Sequence, residues 1–364
     1  MTKEETWQTL AKLGAVKGQM PEGGYDLRGA ALSGANLAEA DLEGADLQEA
    51  DLTNTNLERA NLHLARMQRV KAKGAHFRGA QLRFSSLEGA SLEGADLREG
   101  VLDGAFLQRA LLAEADLRGI RAQGALLSDA NMQGANLTGA YLGEANLEEA
   151  NLTNAVLKEA DLTNAILEKS HLIGADFEKA CLRGVALRNA NLEGANIRGA
   201  DMRGISLENC NVMGIRYSRR TRFMGARIES CYGNSMFKRF AIDQQYIEEL
   251  RDTPFGFVVY IIWLVLADCG RSLWVWSLWS ALIALGFGYK YFLMGADAIK
   301  VNALPWGLKT MIYYSVITMT TLGYGDIYPA TMEAANWVMT EVIVGYVMLG
   351  GLISIFASKL ARRG

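Results

Sequence analysis

At 364 residues, the chain has room for about two domains of ordinary size. Charge is unevenly distributed, because residues 21–215 carry 19 basic and 28 acidic side chains whereas residues 216–364 carry 15 basic and 10 acidic ones. The four cysteines lie far apart with no C-x-x-C pair, so the sequence suggests neither a disulfide framework nor a cysteine zinc site. The three histidines are scattered and form no catalytic arrangement, so no enzyme is indicated.

The first 24 residues precede any regular pattern and are predicted to form an N-terminal cap on the domain that follows. Glu4, Glu5 and Lys12 fall where a secretory signal would need an uninterrupted apolar stretch. We therefore expect the front of the chain to stay in the cytoplasm.

Residues 25–217 carry a five-residue repeat. A large apolar residue, usually Leu, returns at every fifth position from Leu27 to Val212, except at Ala72 and Ala122. A residue that is usually small lies two positions before it, often with Asn or Asp between them. This period fits neither a helix nor a strand and is typical of a solenoid whose units share one core. The A-(N/D)-L-x-x pattern resembles the pentapeptide-repeat family, which implies a right-handed quadrilateral β-helix. Four pentads per coil, as the family has, would give roughly ten coils and a rod roughly 45 to 50 Å long.

The outward positions of the repeat are charged or small, which is typical of a solvated face. An acidic β-helix can instead act as a DNA mimic, as some proteins of this family are thought to do. Here the acidic surface is interrupted by Arg66, Arg69, Lys71, Lys73, Arg78 and Arg83. A nucleic-acid partner is therefore not expected, and the rod is predicted to sense an unidentified cytoplasmic ligand or protein, or to support assembly.

The five-residue phase ends at Tyr217, and residues 218–254 are predicted to form a basic juxtamembrane linker on the cytoplasmic side. Its basic residues include Arg219, Arg220, Arg222, Arg227, Lys238 and Arg239. Residues 255–272 begin with an apolar run that as a helix would reach only ~18 Å, short of the ~30 Å hydrocarbon layer. They are predicted to form an interfacial helix that precedes the pore, broken by Asp268 and Arg271.

Residues 273–364 contain two longer apolar segments. Residues 273–293 are long enough to span a bilayer, and aromatic residues at their two ends, among them Trp276 and Tyr291, suit the membrane interfaces. Residues 332–358 form the second predicted span, followed by the basic residues Lys359, Arg362 and Arg363. By the positive-inside rule, both basic flanks are cytoplasmic. The sequence thus predicts an all-α, two-helix transmembrane pore domain in the cell (inner) membrane, with both termini cytoplasmic.

Residues 320–326, between the two spans, read TTLGYGD. They resemble the potassium-channel signature T-V-G-Y-G followed by Asp, in which backbone carbonyls replace the water shell of the ion. Residues 305–319 are predicted to form the pore helix, and the region resembles bacterial two-helix potassium channels. The resemblance implies a homotetramer in the lipid bilayer, with a filter made of Thr321, Leu322, Gly323, Tyr324 and Gly325.

The resemblance places K⁺ at the carbonyls of Thr321, Leu322, Gly323 and Tyr324. Gly323 can adopt backbone angles denied to other residues, and Tyr324 is expected to point away from the pore axis and pack against the pore helix. Permeant K⁺ is expected, and no cofactor.

Further residues are predicted to support the filter or the gate. Thr320 and Asp326 flank the filter, and Asp326 either concentrates cations or makes a hydrogen bond behind it. Glu341 lies within the second span, where an ionisable residue is costly, and either braces the pore helix or lines the ion path. The resemblance places Gly345 at a gating hinge, and Gly350 and Gly351 are alternative hinge positions. For each of the three glycines, close helix packing is the alternative role.

The function predicted from these features is a potassium-selective channel subunit with a cytoplasmic β-helical domain. One alternative is a membrane-anchored interaction protein whose pore is vestigial. A less selective cation channel is the other.

Overall fold

The computed structural model describes residues 2–14, 24–267, 272–302 and 304–361. The chain divides into two compact units, residues 1–248 and 249–364. The predicted helix-breaking residues Asp268 and Arg271 and the basic residues Arg362 and Arg363 lie outside the described ranges. The elements are α1 (Lys3–Lys12), α2 (Ser235–Asp252), α3 (Pro254–Ala267), α4 (Leu273–Met294), β1 (Ile299–Val301), α5 (Leu308–Met319), β2 (Ile327–Pro329) and α6 (Met332–Ala361).

The repeat region of the first unit is a four-sided parallel β-helix. Bridges join residues 20 positions apart, from Asp26 with Asp46 onward, so four pentads make each coil. The backbone N–H of Leu27 donates to the carbonyl oxygen of Asp46 at 2.7 Å, and the same bond recurs from coil to coil. The inward Leu and Ala side chains, such as Leu37 and Ala40, are fully buried. The β-helix predicted from the five-residue period is confirmed.

The β-helix continues past Tyr217, where the sequence suggested that it ends. One extra residue lies between Arg216 and Arg222, so the following bridges join residues 21 positions apart, up to Asn211 with Tyr232. Phe223 and Ile228 take the inward positions and are fully buried. The predicted linker at residues 218–254 is therefore wrong, because its first part belongs to the rod and residues 235–252 form α2.

Helices cover both ends of the β-helix. At the start, Leu10 of α1 joins the core, and the buried hydroxyl of Thr6 accepts a bond from the backbone N–H of Asp41 at 3.0 Å. At the far end, Phe237 of α2 packs into the core. The buried carboxylate of Glu248 accepts bonds from the backbone N–H groups of Phe223 and Met224, at 3.1 and 2.9 Å. In the described part of the chain, no further coil supplies carbonyls to these N–H groups, so Glu248 satisfies donors that the end of the rod would leave unpaired.

Replacing Glu248 with Ala should loosen the last coil of the β-helix. The buried N–H of Phe223 and the partly buried N–H of Met224 would lose their acceptor, at a cost of ~1–3 kcal/mol for the buried group. Hydrogen exchange of the full chain should then show faster exchange at Phe223 and Met224. Glu249→Ala, at an exposed glutamate on the same helix, is the control. Unchanged protection of these amides in Glu248→Ala would contradict the capping role.

The second unit combines α3 to α6 with a two-stranded antiparallel sheet. In that sheet, β1 pairs with β2 in the register Lys300 with Tyr328. Helix α5 packs against both α4 and α6. A buried cluster that includes Tyr291, Met311 and Ile327 joins α4, α5 and β2. The sheet and the cluster together hold the segment between α5 and β2 at both of its ends.

The bounds of α4, α5 and α6 follow the sequence prediction to within three residues. Helix α4 ends one residue after the predicted limit and α6 three residues after it. Helix α5 begins at Leu308 instead of Pro305, because Gly307 has an extended backbone and lies at the N-cap. The carbonyl oxygen of Pro305 accepts a bond from the Thr310 hydroxyl at 2.6 Å, so Pro305 lies beside the first turn of α5.

Among the described residues, Met332–Ala357 of α6 is the one helical stretch of at least 18 residues that is apolar enough to cross a membrane. Helix α4 has 22 residues but includes Ser, Gly, Tyr and Lys, which lower its hydropathy. Helix α3 is apolar and shorter, and lacks charged residues altogether. Exposed apolar side chains of α3 include Phe255, Val258 and Ile262.

Candidate ion-conducting site

The predicted filter lies between the end of α5 and the start of β2. At its first end, the backbone N–H of Leu322 donates to the carbonyl oxygen of Ile317 at 2.9 Å, so the loop folds back on the last turn of α5. At its other end, the N–H of Asn302 donates to the carbonyl oxygen of Asp326 at 3.0 Å, next to the sheet. Between these anchors, residues 320–325 are exposed in the single chain.

The filter backbone alternates in handedness. Thr321, Gly323 and Gly325 have φ values of 57°, 40° and 76°, whereas Leu322 and Tyr324 lie outside the left-handed region. Such an alternation lets successive carbonyls face the same side, as rings of cation-binding oxygens require. Glycine adopts positive φ without a steric penalty, but a β-branched residue such as Thr321 does so at a cost of about 1–3 kcal/mol.

The oxygen atoms of this loop are the groups best suited to a cation. The Thr321 hydroxyl donates its proton to the carbonyl oxygen of Thr320 at 2.7 Å, which leaves its lone pairs available. Within the described ranges, no group of His, Cys, Asp or Glu is arranged to hold a metal ion. The chemistry that the loop offers is therefore exchange of water oxygens for carbonyl oxygens.

One residue near the filter, Tyr324, differs from expectation within the single chain. Tyr324 is 67 % exposed, so it does not pack against the pore helix of its own chain as the resemblance implied. Asp326 Oδ1 is buried and has no hydrogen-bond partner in the described part of the chain. A surface outside the chain is needed to contact Tyr324.

Glu341 lies behind the pore helix. It is fully buried, and the Tyr291 hydroxyl donates to its Oε2 at 2.6 Å. Its Oε1 is hydrogen-bonded to the hydroxyl of Ser315, which also lies 2.8 Å from the carbonyl oxygen of Ala284. Of the two alternatives for Glu341, the structure shows the contact with α5, through Ser315, and the carboxyl group is fully buried.

The predicted hinge glycines have different surroundings. A Cβ added at Gly345 would lie 3.0 Å from the carbonyl carbon of Met319, and closer still to its oxygen, so α6 touches the end of α5. At Gly351 an added Cβ would overlap the ring of Trp276, whereas at Gly350 it would meet no atom within 4 Å. Close packing therefore accounts for Gly345 and Gly351, and all three lie within the single helix α6.

Sequence reasoning missed the residues that join the helices. The sequence predicts that Tyr291 and Trp276 lie at the membrane interfaces, but both side chains are buried inside the second unit. The indole N–H of Trp276 donates to the carbonyl oxygen of Met348 in α6 at 2.7 Å. An aromatic residue near the end of a span has the same sequence signature whether it faces lipid headgroups or another helix, so only the packing distinguishes the two.

Comparison with known proteins finds a matching family for each of the two units. A family model described as pentapeptide repeats matches in eight copies, over residues 26–63, 60–98, 90–129, 130–169 and 170–209, which together cover half of the chain. A family model described as ion channel matches residues 278–362. Protein LctB of Geobacillus stearothermophilus is 31% identical over an 88-residue alignment. That alignment covers 21% of this chain and 63% of LctB.

Solved structures of pentapeptide-repeat proteins are also similar to the first unit. HetL from the cyanobacterium Nostoc sp. strain PCC 7120 has 25% sequence identity and a TM-score of 0.37, over 64% of this chain and 99% of HetL. QnrB1, a plasmid-mediated fluoroquinolone resistance protein, has 20% identity and a TM-score of 0.34, over 52% of this chain and 89% of its own. The family models show that the chain belongs to the pentapeptide-repeat family and carries an ion channel domain in its C-terminal part.

Proposed function

We propose that this protein is the subunit of a homotetrameric, potassium-selective channel that conducts K⁺ passively across the cell membrane. The observation that carries the proposal is the loop with the sequence TLGYGD, whose residues alternate between left-handed and other backbone conformations. The loop is hydrogen-bonded to the end of α5 and lies within an ion channel domain. The N- and C-termini are cytoplasmic in this proposal, and the β-helix has a regulatory or assembly role.

Selectivity follows from the replacement of hydration by carbonyl oxygens. Those of Thr321, Leu322, Gly323 and Tyr324 form successive rings, and Gly325 completes the loop at its outer end. One chain supplies oxygens on one side of an ion only, so four chains are needed to surround it. The exposure of Leu322 and Tyr324, 60 % and 67 % in the single chain, supports a loop whose remaining contacts come from neighbouring subunits. Leu322 replaces the usual valine, but its carbonyl rather than its side chain meets the ion.

The β-helix contributes a stiff cytoplasmic domain closed at both ends by helices. Because α1 and α2 cover the end coils, we do not expect the rods to stack end to end. On its sides, acidic and basic groups neutralise one another, as where Arg98 lies 2.6 Å from Asp96 and 3.6 Å from Asp116. This mixture of charges favours a cytoplasmic ligand or protein as the partner of the rod over DNA mimicry.

Flux through reconstituted liposomes tests the proposal. The purified full chain should carry K⁺ down its gradient when K⁺ is the only permeant cation, and should carry Na⁺ far more slowly under the same conditions. Similar rates for the two cations would indicate a less selective cation channel. No flux of either would favour the membrane-anchored interaction protein with a vestigial pore.

A further inference from the structure

Three helices of the second unit meet at one buried hydrogen-bonded group. Glu341 comes from α6, Ser315 from α5 and Tyr291 from α4, and the carbonyl oxygen of Ala284 in α4 completes it. Glu341, Ser315 and Tyr291 are fully buried. The group fixes the pore helix to both neighbouring helices, six residues before Thr321.

Counting hydrogens in this group shows which atom must carry each proton. The Ser315 hydroxyl has one hydrogen but lies within hydrogen-bond distance of two oxygens, the Ala284 carbonyl and Glu341 Oε1. The carbonyl and an ionised carboxylate can both only accept, so the single serine hydrogen cannot serve both oxygens, and the carbonyl cannot supply a second hydrogen. The hydrogen between Ser315 and Glu341 must then belong to the glutamate. An ionised Glu341 would leave either the carbonyl or the carboxylate facing a lone pair of Ser315.

The charges around Glu341 agree with this count. Its side chain contacts two hydroxyl groups, and none of its interactions with described residues is an ion pair. The titratable groups that face it are Tyr291 from α4 and Tyr314 from α5, whose rings lie 5.3 Å apart. Neither phenol supplies a positive charge. A buried carboxylate without a cation is strongly unfavourable, whereas a neutral carboxylic acid satisfies every atom here.

We infer that Glu341 is held protonated and that it positions the filter through a chain of hydrogen bonds. Glu341 donates to the Ser315 hydroxyl, which donates to the Ala284 carbonyl oxygen, and the Tyr291 hydroxyl donates to Glu341 Oε2. Its role as a positioning residue rests on the proposed function, but the presence of the proton does not. Loss of that proton turns the Ser315 hydroxyl toward the carboxylate and takes the bond from Ala284. The end of α5, from which the filter starts, is then less firmly held.

Substitutions at Glu341 separate a neutral side chain from an ionised one. Gln has the size of a neutral Glu, with an N–H₂ group that can donate to Ser315 and an oxygen that can accept from Tyr291. In reconstituted full-length channels, Glu341→Ala and Ser315→Ala should each lower K⁺ flux by about tenfold or more, because a buried partner is left unsatisfied. Glu341→Gln should rescue the flux that Glu341→Ala loses. If loss of the Glu341 proton loosens the end of α5, K⁺ flux through the natural protein should decline as pH rises, and Glu341→Gln should remove that decline.

Infrared difference spectroscopy measures the proton directly and does not depend on conduction. The natural protein at neutral pH should show the carbonyl stretch of a carboxylic acid, and Glu341→Gln should remove it. Glu333→Gln, at an exposed glutamate on the same helix, should leave it in place. Absence of the band from the natural protein, or its persistence in Glu341→Gln, would overturn the inference. If the natural protein conducts no K⁺ while the band behaves as expected, the proposed function fails and the assignment of the proton stands.

Discussion

Gly323→Ala is expected to abolish potassium flux through the reconstituted protein. Gly323 has a φ of 40°, and no other atom lies within 4 Å of an added Cβ, so the constraint is the backbone conformation rather than space. Alanine disfavours this conformation by roughly 1–2 kcal/mol, and the peptide relaxes by turning its carbonyl away from the ion. Four subunits carry the change, so all four Gly323 carbonyls around the ion are affected together.

Gly295→Ala is the matched control for this experiment. Gly295 also has positive φ, 84°, with no atom within 4 Å of an added Cβ, but it lies at the end of α4. It should lower stability by a similar amount and leave the preference for K⁺ over Na⁺ unchanged. If Gly323→Ala conducts K⁺ with normal selectivity, the carbonyls of this loop do not form the filter.

Gly345→Ala should disrupt the contact between α6 and the pore helix. The added methyl group overlaps the carbonyl group of Met319, the last residue of α5, which is backbone and cannot rotate away. Overpacking of this kind typically costs 1–3 kcal/mol, and in a symmetric tetramer it acts four times. We expect a loss of K⁺ flux and a lower thermal stability of the tetramer in detergent.

Gly350→Ala distinguishes packing from bending in the same helix. An alanine there meets no atom within 4 Å and should stabilise α6 by about 0.5–1 kcal/mol, because Ala is the better helix former. Flux should stay close to that of the natural protein. Equal damage from Gly345→Ala and Gly350→Ala would contradict the packing account and favour a helix that must bend at both positions.

The sequence predicts the β-helix well because its signal is local and repeated. Each pentad places Leu and Ala inward by the same rule, so the period indicates a solenoid, and the resemblance to the pentapeptide-repeat family adds the number of pentads in each coil. The end of the rod was missed because one inserted residue after Arg216 shifts the phase, although Phe223 and Ile228 continue the core. The Glu248 cap was also missed, since its bond to Phe223 joins residues 25 positions apart and has no local pattern.

In the second unit, the helix limits and the filter motif were accessible from the sequence, but the contacts among the helices were not. Apolar length determines where α4 and α6 lie, and it does not determine how each helix is rotated. The pairing of Glu341 with Tyr291 and Ser315 depends on that rotation. The surroundings of Tyr324 depend in addition on surfaces that a single chain does not contain.

The reversal potential across a planar bilayer tests the central claim most directly. With the full-length protein in the bilayer, K⁺ on one side and Na⁺ on the other at equal concentrations, the current should reverse far from zero. Each tenfold preference for K⁺ displaces the reversal potential by ~59 mV, in the direction set by K⁺ moving down its gradient. A displacement of ~120 mV or more is the predicted result. Reversal at zero, with current carried equally by the two cations, would contradict a potassium-selective filter.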